Sequence, residues 1–121
     1  MAETDTETEL SPARVSEMLD AGGAQLIDVR EDYEHEAGHI PGSRHIDLAQ
    51  LTEEAETLDR DRAVVFYCRS GDRSSMPAEA FRNSGWDAHN MAGGLAAWAE
   101  SGLPLEPEGG TVAQRRPGPQ N

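Results

Sequence analysis

An open α/β sheet of parallel strands, with helices on both faces, is the fold class this sequence predicts. Three observations carry it. Short apolar runs alternate along the chain with segments of helical character, as connections between parallel strands require. The run "AVVFY", residues 63–67, is apolar at every position, as expected for a central strand covered on both faces. The 121 residues suit one domain with a single modest core.

The elements follow in chain order. Residues 1–9 are acidic and are expected to form a disordered tail before a domain spanning 10–105. "LSPARVSEMLDAGG" reads as a helix, with Ser11 as N-cap, Pro12 at the first helical position and Gly22 or Gly23 at its end. Val15, Met18 and Leu19 share its apolar face. "AQLIDVR" is a buried strand ending at Asp28 to Arg30, and "EDYEHEAGHIPGS" is a short helical turn followed by a Gly/Pro loop. "RHIDL" is a short strand, and Leu51 to Leu58 an acidic, exposed helix. After "AVVFY", the segment "SSMPAEAFRNSG" reads as a helix beginning near Ser74, which places Pro77 in a first turn where its missing N–H is harmless. "WDAHNM" is a weaker strand. "GGLAAWAESGLP" is a last helix with Leu95, Trp98 and Ala99 inward. Residues 106–121 are rich in Pro, Gly and Gln and are expected to be a disordered tail.

Composition narrows the function. The formal net charge is −13, and all ten basic residues are arginine. Acidity on this scale argues against nucleic-acid binding, which needs cationic surface. Acid-rich, lysine-free surfaces resemble those of salt-loving organisms, where screening suppresses self-repulsion. An acidic protein from an arginine-favouring genome would give the same counts. No apolar run is long enough to cross a bilayer, and the acidic N-terminus lacks the apolar region of a signal peptide. The one cysteine, Cys68, excludes an intramolecular disulfide and a multi-cysteine zinc site. A reducing, cytoplasmic setting is expected.

That cysteine stands in "YCRSGDRSS", residues 67–75, at the carboxyl end of the most apolar strand. Working crevices of open α/β sheets lie at such ends. A helix begins a few residues later, and its first N–H groups carry partial positive charge. A curled loop of N–H groups before it makes an anion nest, and Gly71 supplies the freedom to curl. Arg69 and Arg73 add formal charge and match oxyanions through paired donors. Cys68 is therefore read as a thiolate-prone nucleophile acting on a small anionic substrate. A structural cysteine would have apolar neighbours on both sides, whereas Arg69, Ser70, Gly71, Asp72 and Arg73 follow this one. Asp28 and Arg30 are expected to organise the loop layer through ion pairs or hydrogen bonds. His39 is expected to bond backbone, and His35, His45 and His89 lack metal-ligand spacing, so no metal is assigned. Glu31, Asp32, Glu34 and Glu36 read as a solvated face, and Trp86 and Trp98 as core.

The ordered set "LIDVR", "GHIPGS", "FYCRSGDRS", "GGLAAW" and "GLP" resembles the single-domain rhodaneses, a family of sulfurtransferases, from about Leu10 to Leu105. The resemblance implies a three-layer fold with a mostly parallel five-stranded sheet. It implies that Cys68 takes the outer sulfur of a donor such as thiosulfate and becomes a persulfide. Cyanide, a thiol or a protein acceptor then removes that sulfur. The backbone N–H groups of residues 69–73 would cradle the persulfide, Arg73 would anchor the loop, and Arg69 would receive the donor. No cofactor, nucleic acid or membrane is implied. Four residues separate Cys68 from Arg73. Related phosphatases and arsenate reductases carry one more, a wider cradle for a phosphate-sized group, so the spacing favours sulfur. A non-catalytic binding module is the alternative of another class. Pro77, His89 and Ser43 depart from the family pattern, and His89 is expected to be partly buried or at a sheet edge. A carboxylate at Asp72 is expected to face solvent or pair with an arginine.

Overall fold

The computed structural model describes residues 7–114. Within them five strands form one sheet: β1 (Glu9–Leu10), β2 (Ala24–Asp28), β3 (Arg44–His45), β4 (Ala63–Tyr67) and β5 (Ala88–Met91). Their spatial order is β1-β5-β4-β2-β3, and all neighbouring pairs are parallel. Between them lie α1 (Pro12–Asp20), α2 (Asp32–Ala37), α3 (Leu51–Glu54), α4 (Asp72–Asn83) and, after β5, α5 (Gly94–Glu100).

The two-residue period of β4 explains the layering. Ala63, Val65 and Tyr67 pack on one face, with Val15 from α1 and Leu95 and Trp98 from α5. Val64, Phe66 and then Cys68 face the other way, against Leu51 from α3 and Ala78 and Phe81 from α4. Every residue of β4 is buried, as its unbroken apolar run demands. The start of α1 also follows its sequence signal. The Ser11 side chain accepts the Arg14 N–H at 3.1 Å, and Pro12 occupies the first helical position.

Four readings of the sequence are corrected here. Glu9, assigned to the N-terminal tail, pairs with Asn90 in the edge strand β1; a two-residue strand has too little pattern to announce itself. Glu106, assigned to the C-terminal tail, exchanges backbone hydrogen bonds with His39 at 2.9 and 2.8 Å, and the Thr111 N–H donates to the Ala37 carbonyl. The remainder of each predicted tail, 1–6 and 115–121, lies outside the described residues. The helix after the cysteine loop starts at Asp72, so Pro77 sits inside it. Its ring removes the N–H that would bond the Arg73 carbonyl, and Pro77 is buried. His89 is fully buried rather than partly buried or at an edge, because β1 lies outside β5. Its ring nitrogens face the Glu7 carbonyl at 2.6 Å and the Asp87 carboxylate at 2.7 Å, so both have polar partners in the strand interior.

Ser43 also gains a reason. Its hydroxyl donates to the Ile40 carbonyl and accepts from the Tyr67 hydroxyl at 2.9 Å, tying the Gly/Pro loop to the top of β4. Trp98 is core as expected, while Trp86 is half-buried beneath the Arg60 guanidinium.

Candidate active site

The end of β4 delivers Cys68, and α4 begins only four residues later. The chain turns between them through Gly71, whose φ of +100° is open to glycine at no steric cost. The turn brings the Gly71 N–H to 3.1 Å from the Cys68 sulfur. The Ser74 hydroxyl, one turn into α4, lies 3.4 Å from the same sulfur. The Gly71 N–H and the helix N-terminus place partial positive charge at the sulfur, while the one Ser74 proton is given to Asn90. Cys68 is buried, and a cavity of about 380 Å³ opens over its loop, lined by Arg69, Ser70, Asp72, Arg73 and Gln114.

The loop is held from three directions. Arg73 forks onto Glu34 of α2 with two hydrogen bonds of 2.8 Å. Burial works to raise the Glu34 carboxyl, but the Arg73 hydrogen bonds outweigh it and hold the group below its ordinary range. Glu34 is fully buried, which corrects its assignment to a solvated face; Glu31, Asp32 and Glu36 are exposed as expected. From the sheet, Asn90 of β5 donates to the Gly71 carbonyl at 3.0 Å and to the Glu9 carboxylate, and accepts from Ser74 at 2.5 Å. From α5, the Leu95 and Ala96 N–H groups donate to the carbonyls of Cys68 and Arg69 at 2.8 and 2.9 Å.

Asp28 and Arg30 form the layer beside this loop. Arg30 is fully buried and donates to Asp28 twice, at 2.8 and 2.6 Å, and to the Gly38 carbonyl at 2.8 Å. The Arg30 backbone N–H at 3.0 Å and the His35 ring at 2.8 Å also donate to Asp28. Burial pushes the Asp28 carboxyl up, yet the donors from His35 and Arg30 overcome it and bring it down to about 2. The pair therefore ties the end of β2 to His35 of α2 and to the Gly38 carbonyl. Neither residue lines the cavity over Cys68. His39 bonds the His35 carbonyl at 2.7 Å, a backbone role as expected.

Asp72 is placed in part. Its side chain is exposed, and Oδ1 accepts from Ser70 at 2.8 Å and faces the Cys68 sulfur at 3.7 Å. The Ser70 hydrogen bond holds its carboxyl below the ordinary range.

Ser74, Asn90, Glu34, Glu9 and Gln114 are the residues of the site that the sequence reading left without a role. A polar residue inside the otherwise buried strand "AHNM" was the available signal for Asn90. Ser74 lay inside the quoted loop. The others depend on contacts between distant segments.

Comparison with known proteins agrees with this geometry. A family model described as Rhodanese-like domain matches residues 11–101. YtwF of Bacillus subtilis, provisionally named a sulfurtransferase, is 42% identical over 91 residues, 74% of this chain and 88% of its own. The thiosulfate sulfurtransferase GlpE of Pseudomonas aeruginosa PAO1 is 32% identical over 96 residues, 78% of this chain and 86% of its own. Among solved structures, a rhodanese-related protein from Thermoplasma volcanium superposes with a TM-score of 0.76 at 28% identity, covering 82% of this chain and 97% of its own. With a cysteine at the end of the central parallel strand, and relatives of this kind along most of its length, the chain belongs to the rhodanese-like domain family.

Proposed function

We propose that the protein is a sulfurtransferase that carries sulfane sulfur as a persulfide on Cys68. The observation that carries this reading is the Cys68 sulfur facing the Gly71 N–H and the Ser74 hydroxyl at the start of α4. The sulfurtransferase names of YtwF and GlpE support it. In the first half-reaction the thiolate attacks the outer sulfur of thiosulfate or a related donor. The new S–S bond forms as the donor's own S–S bond breaks, and for thiosulfate sulfite leaves with the electron pair. In the second, cyanide, a thiol or a protein thiolate attacks the outer sulfur and releases the Cys68 thiolate. The N–H groups of the short loop suit the persulfide anion, and the four-residue spacing before Arg73 favours a sulfur atom over a phosphoryl group.

Mass spectrometry tests the reading. Incubation with thiosulfate, a thiol hydropersulfide or a mercapto-acid, each in excess, is expected to add one sulfur at Cys68 and none to Cys68→Ser. Absence of an adduct with every donor would leave the non-catalytic module as the better reading. Turnover of aryl phosphates would reverse the argument from loop length.

A nucleophilic lone thiol fits a reducing cytoplasm, and the −13 charge without lysine fits a salt-rich one. Screening then relieves self-repulsion. The melting temperature is expected to rise between dilute buffer and molar salt, which calorimetry measures; a flat or falling Tm contradicts the salt-adapted reading.

A further inference from the structure

The charges that the described residues place around the sulfur do not add up to a site for a dianion. Arg73 is one of two arginines lining the cavity, and Glu34 neutralises it through both of its hydrogen bonds. Arg69 is the other; among the described residues its buried Nε has no hydrogen-bond partner. Against this one uncompensated cation of the described residues stand Asp72 on the cavity wall and, in the reactive state, the Cys68 thiolate. Asp72 Oδ1 lies 3.7 Å from the sulfur that a donor must reach. A sulfonate following its outer sulfur into the cavity meets that carboxylate at close range, where like charges repel.

The same contact has an attractive side. Oδ1 is placed to accept an S–H from Cys68, so it is equally placed to accept the S–H of an incoming donor. A hydropersulfide, R–S–SH, is attacked at its terminal sulfur in the protonated form; deprotonated, it is itself a nucleophile and repels the thiolate. A fixed carboxylate acceptor favours the protonated form.

Resting on the sulfurtransferase reading above, we propose that Asp72 is a specificity-determining residue that turns the site away from dianionic thiosulfate and towards the neutral hydropersulfide of a thiol. In the transfer, the Cys68 thiolate attacks the terminal sulfur of R–S–SH. The bond from Cys68 to that sulfur forms as the R–S bond to it breaks. The thiolate R–S⁻ leaves with the electron pair, and the proton stays on the transferred sulfur as Cys68–S–SH, within reach of Asp72. Charge is conserved, and no oxidant or reductant is needed.

The experiment compares two donors on the full chain and on Asp72→Asn, an isosteric change at an exposed side chain. The rate of sulfur addition to Cys68 is followed by quenched mass spectrometry with thiosulfate and with 2-mercaptoethanol hydropersulfide. Removing the negative charge is expected to raise the thiosulfate-to-hydropersulfide rate ratio on the order of tenfold. A merely structural Asp72 would lower both rates together and leave the ratio in place. An adduct with an unmoved ratio overturns the role of Asp72 alone. No adduct from either donor overturns the sulfurtransferase reading, and this inference with it.

Discussion

Gly94→Ala is expected to slow sulfur addition to Cys68 by about a hundredfold, because displacement of a reacting group by roughly an ångström costs that much. A Cβ on Gly94 would stand 2.5 Å from the Cys68 carbonyl oxygen and 2.6 Å from the carbonyl carbon and oxygen of Arg69. All three atoms are backbone of the active loop, so no side chain can swing aside. The φ of +60° adds the penalty of the left-handed region. Either α5 or the loop must move, and the hydrogen bonds from Leu95 and Ala96 to the loop carbonyls go with it. Their loss and the backbone strain together should lower stability by roughly 2–4 kcal/mol. Gly102→Ala separates the two effects. Gly102 has a φ of +78° but nothing within 4 Å of its added Cβ. It should show the strain of about 1 kcal/mol without the loss of activity. Donor kinetics and thermal melts on the two variants decide the matter; a Gly94→Ala protein within threefold of wild-type activity would show that the loop is not held by this close approach.

The glycine pair before "LAAW" was visible in the sequence as a family resemblance, but its physical reason was not. Only the structure shows α5 starting against the loop carbonyls. The same division runs through the whole chain. "AVVFY" declared a doubly covered strand because both of its faces are apolar, and Ser11 and Pro12 declared a helix start through local chemistry. Cys68, Gly71 and Arg73 declared a loop through spacing. Glu34 could not be read, because in "EDYEHEA" it is one acid among four and its partner Arg73 lies 39 positions away. Local pattern carries no information about a pairing of that range. Glu9 and Glu106 were missed likewise, each held by backbone bonds to a distant segment rather than by its own periodicity. Arginine gathers near the thiol, but one of the two arginines is matched by a buried carboxylate that the sequence seemed to leave in solvent.

Asp28→Asn should destabilise the protein by about 3–5 kcal/mol at neutral pH, the usual cost of breaking a buried ion pair from one side. The Arg30 guanidinium would keep the Gly38 carbonyl as an acceptor, and among the described residues its Nη1 already has no hydrogen-bond partner. An uncompensated cation would then remain in a fully buried position. That loss is a large fraction of the roughly 5–15 kcal/mol that domains of this kind possess. Replacing both partners by apolar residues, Asp28→Leu with Arg30→Met, should recover most of it, because the desolvation cost disappears with the charges. Acid provides the independent check. The Asp28 carboxyl is held at about 2 in the fold, below the value near 3.9 of an unfolded chain. Its contribution is therefore complete above that unfolded value and is lost as the pH falls from about 4 towards 2, about 2.5 kcal/mol in all. Glu34 is lowered in the same direction and fails in the same sense. The consequence reaches the active loop through α2, since Glu34 is the anchor of Arg73. Wild-type protein should thus lose stability progressively as the pH falls from about 4 towards 2, and Asp28→Asn should start less stable and titrate more shallowly. Circular dichroism of both proteins against pH measures this, and equal stability at neutral pH with the same acid midpoint would mean that the Asp28–Arg30 pair does not hold the layer on which the cysteine loop rests.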